Sequence, residues 1–239
     1  VDILRDNEGS VMIAGIMEHI EEAGIHSGDS ACSIPTFSLD KNTINEIKKF
    51  TISLANSLKT IGLMNVQYAV KDDQIYILEA NPRASRTIPF LAKAIGIPFI
   101  RIAASLIAGN SLNKEILKID TNVLPYYAIK EAVFPFNKFP NTDVILGPEM
   151  KSTGEVMGID KDFDMAFLKS QLAAGQKINN IKNIFISVKD DDKKAILTIA
   201  KELSEYKFNI YTTKGTNLFL KKNNINSIVI NKVVEGSPH

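Results

Sequence analysis

Several features that mark particular protein classes are absent or scarce in this 239-residue chain. It has no tryptophan and one cysteine, Cys32, so an internal disulfide framework is excluded and a reducing, cytoplasmic compartment is expected. Its 28 basic and 27 acidic residues leave a net charge of +1, which gives no basis for attraction to nucleic acid or a membrane surface. No run approaches the roughly 20 apolar residues of a membrane span.

What is present fits a globular protein with a substantial core. Hydrophobic residues make up 45% of the chain and charged residues 23%, and the length suits one large or two ordinary domains. Residues 1–20 read as a strand, a turn and a second strand. A helix is predicted to open at Thr43–Glu46, which has capping-box spacing. Its predicted apolar stripe and closing glycine are Ile47, Phe50, Leu54, Leu58, Ile61 and Gly62.

Most of the residues that suggest chemistry lie in one predicted hairpin, Met64–Val70 and Gln74–Asn81. Side chains alternate faces along a strand, so Glu79 and Asn81 share a face, and pairing of the strands would bring Gln67 near Glu79. Three oxygen donors of this kind suit a hard cation such as Mg²⁺, which takes its remaining ligands from phosphate and water. The hairpin is therefore a candidate metal site.

Two arginines, Arg83 and Arg86, follow the hairpin directly. Guanidinium groups pair well with phosphoryl oxygens, and a metal beside arginines is typical of phosphoryl transfer. Taken one at a time, each of these residues has an ordinary structural explanation, such as a solvated strand end or a helix cap. Their clustering within one local unit favours the functional interpretation.

Two further segments have weaker chemical patterns. The loop Ala23–Ser30 combines glycines, hydroxyls, a carboxylate and His26, and nucleotide binding and an ordinary polar connection are equally good interpretations of it. Near the end, Thr212–Thr216 follows a predicted strand and opens a predicted helix, a position where backbone N–H groups attract anions. Lys193 and Lys232 are placed at strand ends on the same rim, although a simple helix cap explains the threonines as well.

The order of predicted elements indicates an α/β fold throughout. Helices are predicted over Pro89–Ile95 and Pro98–Ala108, residues 120–160 are looser, and Asp162–Ala174 is helical. Beyond the polar segment 175–182 the pattern changes to strand, helix, strand, short helix, strand, which is typical of a doubly wound parallel sheet. We therefore expect two domains, residues 1–174 and residues 175–239. The later predicted elements are Ile184–Val188, Lys193–Tyr206, Phe208–Tyr211, Thr216–Asn223 and Ser227–Ile230.

With these segments identified, the chain closely resembles the large subunit of carbamoyl-phosphate synthase. The segments MNVQYAV and IYILEANPRASRTIPFLAKAIGIP resemble the second half of one of its ATP-grasp domains. IMEHIEEAGIHSGDSACSIP, LPYYAIKEAVFPFNKFP and LGPEMKSTGEVMG are also similar to that family. FISVKDDDKKAILTIAKEL and FNIYTTKGTNLFL resemble its regulatory domain, which is similar to methylglyoxal synthase. The expected fold is an ATP-grasp C-terminal lobe, with a mixed or antiparallel sheet and helices, followed by a truncated regulatory domain.

The resemblance implies a function and a set of site residues. The implied function is ATP-dependent phosphorylation of carbamate in a glutamine-dependent synthase that serves arginine or pyrimidine biosynthesis. The implied cofactors are ATP, Mg²⁺ or Mn²⁺, and K⁺ bound near the segment MEHIEEAG. The implied partners are the small glutaminase subunit in a hetero-oligomer, a UMP- or IMP-like effector, and ornithine. The implied metal ligands are Gln67, Glu79 and Asn81, and the implied catalytic residues are Arg83 and Arg86. The residues implied to bind ATP are Gly24, Ile25, His26, Ser27, Gln67 and Glu79. Those implied to bind the nucleotide effector are Lys193, Thr213, Thr216 and Lys232, and a weaker transfer assigns ornithine binding to Glu21, Asp29 and Glu131.

The resemblance also implies that sequence is missing at both ends. A glycine-rich loop over the phosphates would precede Val1, so we expect the fragment alone to be a poor catalyst. Three alternatives remain: another ATP-grasp ligase of the biotin carboxylase type, a non-catalytic nucleotide-binding regulatory protein, and a structural remnant of a truncated reading frame. The upstream sequence would separate them.

Overall fold

A computed structural model describes residues 1–139, 143–178, 180–232 and 235–236. The chain divides into two compact units, Val1–Gln176 and Lys177–His239. Antiparallel sheets and helices make up the first unit and a parallel sheet with helices the second, which confirms the α/β expectation. In chain order the strands of the first unit are β1 Asp2–Arg5, β2 Val11–Gly15, β3 Glu18–His19, β4 Cys32–Ile34, β5 Gly62–Lys71, β6 Gln74–Asn81, β7 Tyr127–Val133 and β8 Gly154–Asp160.

The first sheet has the order β2-β1-β5-β6 and is antiparallel throughout. The predicted hairpin is confirmed as β5 and β6, which are joined by Asp72 and Asp73. Both of these residues have positive φ, of 51° and 59°, as a tight two-residue turn between twisted strands requires. One face of the sheet packs on a helical pair and the other face on a single helix. The helices of the unit are α1 Lys41–Ser57, α2 Ile88–Ile95, α3 Phe99–Ile107, α4 Lys114–Leu117 and α5 Phe163–Ala173.

Helix α1 begins earlier and faces differently from the sequence prediction. Asp40 is its N-cap and accepts from the backbone N–H of Thr43 at 2.8 Å, so Thr43 is not the cap. The predicted apolar stripe was right only in part: Ile47 is buried and Leu54 packs against the core, but the other side chains that the helix buries are Thr51 and Ala55. The predicted stripe members Phe50, Leu58 and Ile61 are exposed. Gly62 does not close the helix but begins β5.

The two helices predicted at Pro89–Ile95 and Pro98–Ala108 are confirmed as α2 and α3, which pack in the core on one face of the first sheet. Each follows a proline-containing start, and α2 ends at Gly96, whose φ of 81° is a left-handed cap. Within the described residues no single helix is long and apolar enough to cross a membrane, although α2 and α3 together, bent by 118°, meet that test of length and composition. Their apolar side chains are instead buried against the sheet: Ile88, Phe90, Leu91, Ala94, Phe99, Ala103 and Leu106.

The second sheet has the order β3-β4-β7-β8, and its strands β7 and β8 lie in the region 120–160 that was predicted to be looser. Strands β7 and β8 were missed entirely, because prolines surround them and their alternation is weak. The helix predicted at Asp162–Ala174 is confirmed as α5, and Asp162 is its N-cap. The helix packs closely on β8 at Gly158. This sheet supports the loop Ala23–Ser30 through the backbone of residues 151 and 152.

The second unit has a parallel sheet of order β11-β10-β9, which confirms the predicted alternation. Its core joins Ile186, Ile210 and Leu220, with Ala200 and Ile225 beside them. Asn209 lies beside Asn183 at the start of the paired strands. The elements are β9 Asn183–Ile186, α6 Lys193–Glu205, β10 Asn209–Thr212, α7 Lys214–Lys222 and β11 Ile228–Val229.

Candidate functional site

The register of β5 and β6 collects the predicted metal ligands on one face of the sheet. Gln67 lies directly opposite Glu79, and Asn65 lies directly opposite Asn81. Residues opposite each other in an antiparallel pair, and residues two apart on a strand, point to the same side. All four polar side chains therefore project from the face that carries α2 and α3.

Glu79 and Asn81 contact each other directly. Asn81 Nδ2 donates to Glu79 Oε1 at 2.9 Å, which leaves Glu79 Oε2 and the Asn81 carbonyl oxygen as further acceptors. Glu79 is exposed, whereas Gln67 and Asn81 are half-buried. Within the described residues no cluster of three or more His, Cys, Asp or Glu side chains could hold a metal ion. This face of the hairpin offers the Glu79 carboxylate and several amide oxygens, a set that fits Mg²⁺ or Mn²⁺ bound chiefly through phosphate and water.

Both arginines of the loop after β6 are exposed. Arg83 donates to the carbonyl oxygen of its neighbour Ala84 at 3.0 Å. The loop ends at Thr87, the residue before α2, whose side chain is 3% exposed. The backbone N–H of Arg83 donates to the Asn81 carbonyl at 2.8 Å, so the arginine loop begins directly at the end of β6.

A cavity of about 420 Å³ lies beside the hairpin. Gly24, Ile25 and Ser27 of the predicted nucleotide loop line it, together with Gln67. His26 is not among the described residues that line the cavity. Its ring Nδ1 accepts from the Gly28 N–H at 3.0 Å, and its backbone N–H donates to the carbonyl of Gly147. The structure therefore brings Gly24, Ile25 and Ser27 to the cavity and leaves His26 to shape the loop.

Sequence reasoning missed Asn65, which also lines the cavity. It stands two residues before Gln67 on the same face, and only 8% of its surface is exposed. Its Nδ2 donates to Asp2 Oδ1 at 3.1 Å. The strand period of two, counted back from Gln67, was the available indication.

Glu21 and Glu131 lie close enough to influence each other. Burial raises the pKa of both carboxyl groups, and the negative charge of Glu21 raises the pKa of Glu131 further. Lys130, 1% exposed, opposes the shift in both, and its Nζ donates to the carbonyl of Ser27 at 3.3 Å. Gln171 donates to Glu131 at 2.6 Å. The two acids thus share a buried polar region beside the nucleotide loop.

Asp29, the third of the implied ornithine residues, is occupied by the backbone. Its two oxygens accept from the N–H groups of Lys151 and Ser152, at 2.7 and 2.9 Å. Burial acts to raise the pKa of this carboxyl, but hydrogen bonding by Ser152, through its side chain and its N–H, and by the Lys151 N–H outweighs burial and holds the pKa below its usual value. Asp29 therefore anchors the loop 23–30 to the second sheet.

His19 lines the same cavity as an uncharged side chain. Burial lowers its pKa to about 4, and nearby positive charges including Lys130 act in the same direction. At neutral pH the imidazole is therefore a neutral hydrogen-bonding group.

Because the pKa of Glu131 is raised, replacing this residue should stabilise the fold at neutral pH but not at acid pH. A carboxyl whose pKa is raised on folding destabilises the fold wherever it is ionised, so wild-type stability falls as the pH rises above the ordinary glutamate value of about 4.3. We expect Glu131→Gln to raise the Tm at pH 7 and to have no such effect at pH 4. Thermal unfolding at both pH values measures this. Glu155→Gln, an exposed change on β8, is the matched control, and an equal Tm shift in the control would contradict the assignment.

In the second unit, three of the implied effector residues surround the start of α7. Thr213 is the N-cap residue, but its side chain makes no capping hydrogen bond. Thr216, 1% exposed, has a buried hydroxyl with no hydrogen-bond partner among the described residues. A Cβ on Gly215 would lie 3.4 Å from Lys193 Nζ, so the ammonium lies against the first turn of the helix. Donors and positive charge converge there.

Two residues beside this turn were not foreseen from the sequence. Ser187 Oγ lies 3.4 Å from Thr213 Oγ1. Asp190 accepts from Lys193 at 2.6 Å, and this bond and the lysine's charge are the main causes that lower the Asp190 pKa. The charge of Lys232 lowers it as well, which places Lys232 near the same group.

Comparison with known proteins shows what this chain is similar to. Residues 1–115 match the model described as the carbamoyl-phosphate synthase L chain, ATP binding domain, and residues 195–239 match the MGS-like domain model. Carbamoyl phosphate synthase large chains align with all of this chain, at 54% identity in Archaeoglobus fulgidus and 51% in Mesorhizobium japonicum. This chain is homologous to one segment of the carbamoyl phosphate synthase large chain.

The homologous segment is a minor part of those large chains. The chain spans about a fifth of the length of its carbamoyl phosphate synthase relatives, 22% of the Archaeoglobus protein and 21% of the Mesorhizobium protein. A biotin carboxylase from Campylobacter jejuni, solved as a beta-gamma-ATP complex, has a similar backbone at 19% identity and a TM-score of 0.46. That likeness covers 56% of this chain and 29% of the carboxylase.

Proposed function

We propose that this segment forms the metal- and phosphate-binding half of the site that phosphorylates carbamate in a glutamine-dependent carbamoyl phosphate synthase. In this proposal residues 1–174 are the C-terminal part of an ATP-grasp domain and residues 175–239 begin a methylglyoxal synthase-like regulatory domain. The observation that carries it is the placement of Gln67, Glu79 and Asn81 on one face beside the arginine loop, in a chain about 50% identical to synthase large chains.

The chain's own residues supply binding and orientation in this reaction. Glu79, Asn81 and Gln67 would hold Mg²⁺ or Mn²⁺, which when bound neutralises charge on the ATP phosphates. Arg83 and Arg86 bind phosphoryl oxygens and stabilise the charge that develops during transfer from ATP to the carbamate oxygen. Carbamate is unstable in water, so enclosure of the reactants beside the nucleotide is part of the task.

The cavity next to Gln67 is the proposed nucleotide site. Gly24, Ile25 and Ser27 form its wall, with Ile25 offering backbone groups. His26, the fourth proposed residue, supports the loop by accepting from the Gly28 N–H. The same proposal includes K⁺ near MEHIEEAG and ornithine near Glu21 and Glu131. It also includes a small glutaminase partner in a cytoplasmic hetero-oligomer.

A chimera tests the proposed reaction directly. This segment replaces its counterpart in the Archaeoglobus large chain, and two activities are measured: ATP formation from ADP and carbamoyl phosphate, and bicarbonate-dependent ATP hydrolysis. We expect the chimera to retain both. Loss of ATP formation with retained bicarbonate-dependent hydrolysis in a folded chimera would contradict the proposal. The 239-residue chain alone should show neither activity at a useful rate.

A ligase of the biotin carboxylase type is the main alternative, because a similar metal-binding hairpin would serve it as well. The match of residues 195–239 to the MGS-like domain favours the synthase. An arginine or pyrimidine role, or both, is compatible with the same chemistry.

The start of α7 supports a second proposed role, binding of the phosphate of a nucleotide effector. A buried hydroxyl without a partner costs about 1–3 kcal/mol, so Thr216→Val should raise the stability of the free chain. The same change should abolish the Tm increase produced by UMP or IMP, because the hydroxyl is a proposed phosphate ligand. Thermal unfolding with and without each nucleotide measures both effects.

Thr212→Val is the matched control for that experiment. Thr212 is also fully buried, but its hydroxyl is satisfied by Ser227 at 3.1 Å. We expect this variant to lose stability and keep its response to the nucleotide. An unchanged nucleotide response in Thr216→Val would contradict the proposed effector site.

A further inference from the structure

A buried carboxylate on an inner strand of the first sheet bonds both to the loop that carries the arginines and to an amide in the cavity wall. Asp2 on β1 is 0% exposed and lies directly opposite Asn65 on β5, which lies directly opposite Asn81 on β6. These residues form a row across three strands on the face that carries the site. Within the described residues no side-chain cation forms a salt bridge with Asp2. Its side-chain partners are two hydrogen-bond donors, Asn65 and Thr87, one on each carboxylate oxygen.

One oxygen of Asp2 connects to the loop that carries the arginines. Thr87 Oγ1 donates to Asp2 Oδ2 at 2.8 Å, and Thr87 Oγ1 lies 2.9 Å from Ser85 Oγ. Because the Thr87 proton is used on the carboxylate, Ser85 must donate to Thr87. The Ile88 N–H in turn donates to Ser85 Oγ at 3.2 Å. The hydrogen bonds therefore run in one direction, from the first turn of α2 through the loop to Asp2.

The other oxygen of Asp2 fixes the orientation of an amide in the cavity wall. Asn65 Nδ2 donates to Asp2 Oδ1 at 3.1 Å and approaches the carbonyl of Val1 at 3.4 Å. With its nitrogen occupied twice, Asn65 has its oxygen, Oδ1, left for other contacts. A carboxylate accepts only, so Asp2 selects this amide orientation over the reverse one.

We infer that Asp2 is a positioning residue, which holds the arginine loop through Thr87 and Ser85 and sets the amide orientation of Asn65. The inference rests on the proposed function for the arginines, whereas the anchoring itself is a property of the chain. Thr87 is the best position for a test, since Thr87→Val removes the hydroxyl and keeps the shape. Thr87→Ser restores the hydroxyl. Thr121→Val, another buried threonine whose hydroxyl bonds only to the carbonyl of Ile13, is the matched control.

The direct readout is amide hydrogen exchange in the 239-residue chain. We expect Thr87→Val to speed exchange of the Ile88 amide by about tenfold beyond any global change, Thr87→Ser to restore it, and Thr121→Val to leave it unchanged. Asp2→Asn, which places a donor where acceptors are needed, should act like Thr87→Val. Equal exchange of the Ile88 amide in the Thr87→Val and Thr121→Val variants would overturn the inference.

The chimera provides the second readout. Thr87→Val should lower kcat for ATP formation from ADP and carbamoyl phosphate about tenfold. Thr87 also lines the cavity, but its hydroxyl donates to Asp2, so the KM for ADP should change little. Thr87→Ser should recover kcat. A fall in kcat that Thr87→Ser fails to reverse would contradict positioning by the hydroxyl. If the unmodified chimera forms no ATP, the proposed function is wrong, and the exchange of the Ile88 amide alone decides the anchoring.

Discussion

Replacing Glu79 by Gln in the chimera should lower the rate of ATP formation from ADP and carbamoyl phosphate by about 10²- to 10³-fold. The change removes the only carboxylate from the donor set of the hairpin while preserving its size. A neutral amide binds Mg²⁺ weakly, so charge on the transferring phosphoryl group is no longer neutralised. Bicarbonate-dependent ATP hydrolysis should be spared, because in the proposal a different half of the synthase performs that step.

Glu46→Gln, an exposed change on α1 with the same chemistry, should leave both activities unaltered. Steady-state assays of the two partial reactions on the three proteins give the comparison. Equal loss of both partial reactions in Glu79→Gln would show that this segment is not confined to carbamate phosphorylation. Retained ATP formation would remove Glu79 from the proposed site.

Gly158→Ala should be the most destabilising small substitution in the first unit. An added Cβ would lie 2.5 Å from the backbone nitrogen of Ser170 and closer still to the carbonyl oxygen of Ala166. Both obstacles are backbone atoms of α5, so the helix has to move away from β8. We expect a loss of about 3 kcal/mol, equivalent to roughly 6–12 °C in Tm for a unit of this size.

Gly154→Ala tests whether that effect comes from contact or from strand propensity. Gly154 lies on the same strand, and an added Cβ there meets no atom within 4 Å. The variant should be as stable as the parent or slightly more so. Thermal unfolding of both variants measures the difference, and similar Tm values would refute the close approach of α5 to β8.

The hairpin could be predicted because its determinants are local. Alternating side chains, two adjacent aspartates at the turn and the polar run from Glu79 to Arg86 all lie within about twenty residues. The parallel sheet of the second unit was predictable for a similar reason, since short strands alternate regularly with helices. In both regions the local pattern and the tertiary structure agree.

Other features depend on contacts between distant residues. Helix α1 buries Thr51 and Ala55 rather than Phe50 and Leu58, because its phase is set by the sheet surface it covers and not by its most apolar stripe. The strands β7 and β8 gain their stability from pairing with each other and from α5. No sequence pattern separates them from irregular chain.

The site shows the same division between local and distant determinants. Glu79, Asn81 and the arginines were identifiable from a single segment. Asn65 and its partner Asp2 are 63 residues apart, and only the pairing of β1 with β5 shows that they belong together. The unpartnered hydroxyl of Thr216 is likewise invisible in sequence, because burial and the lack of a partner are properties of the folded unit.

The most direct test of the central claim is the location of a divalent ion bound with nucleotide. Crystals of the chimera grown with Mn²⁺ and ADP would show manganese by its anomalous scattering. The account predicts a peak about 2.0–2.3 Å from a Glu79 oxygen, with the oxygens of Asn81 or Gln67 beside it and phosphate completing the shell. Manganese bound with the nucleotide elsewhere, with no peak at β5 and β6, would contradict it.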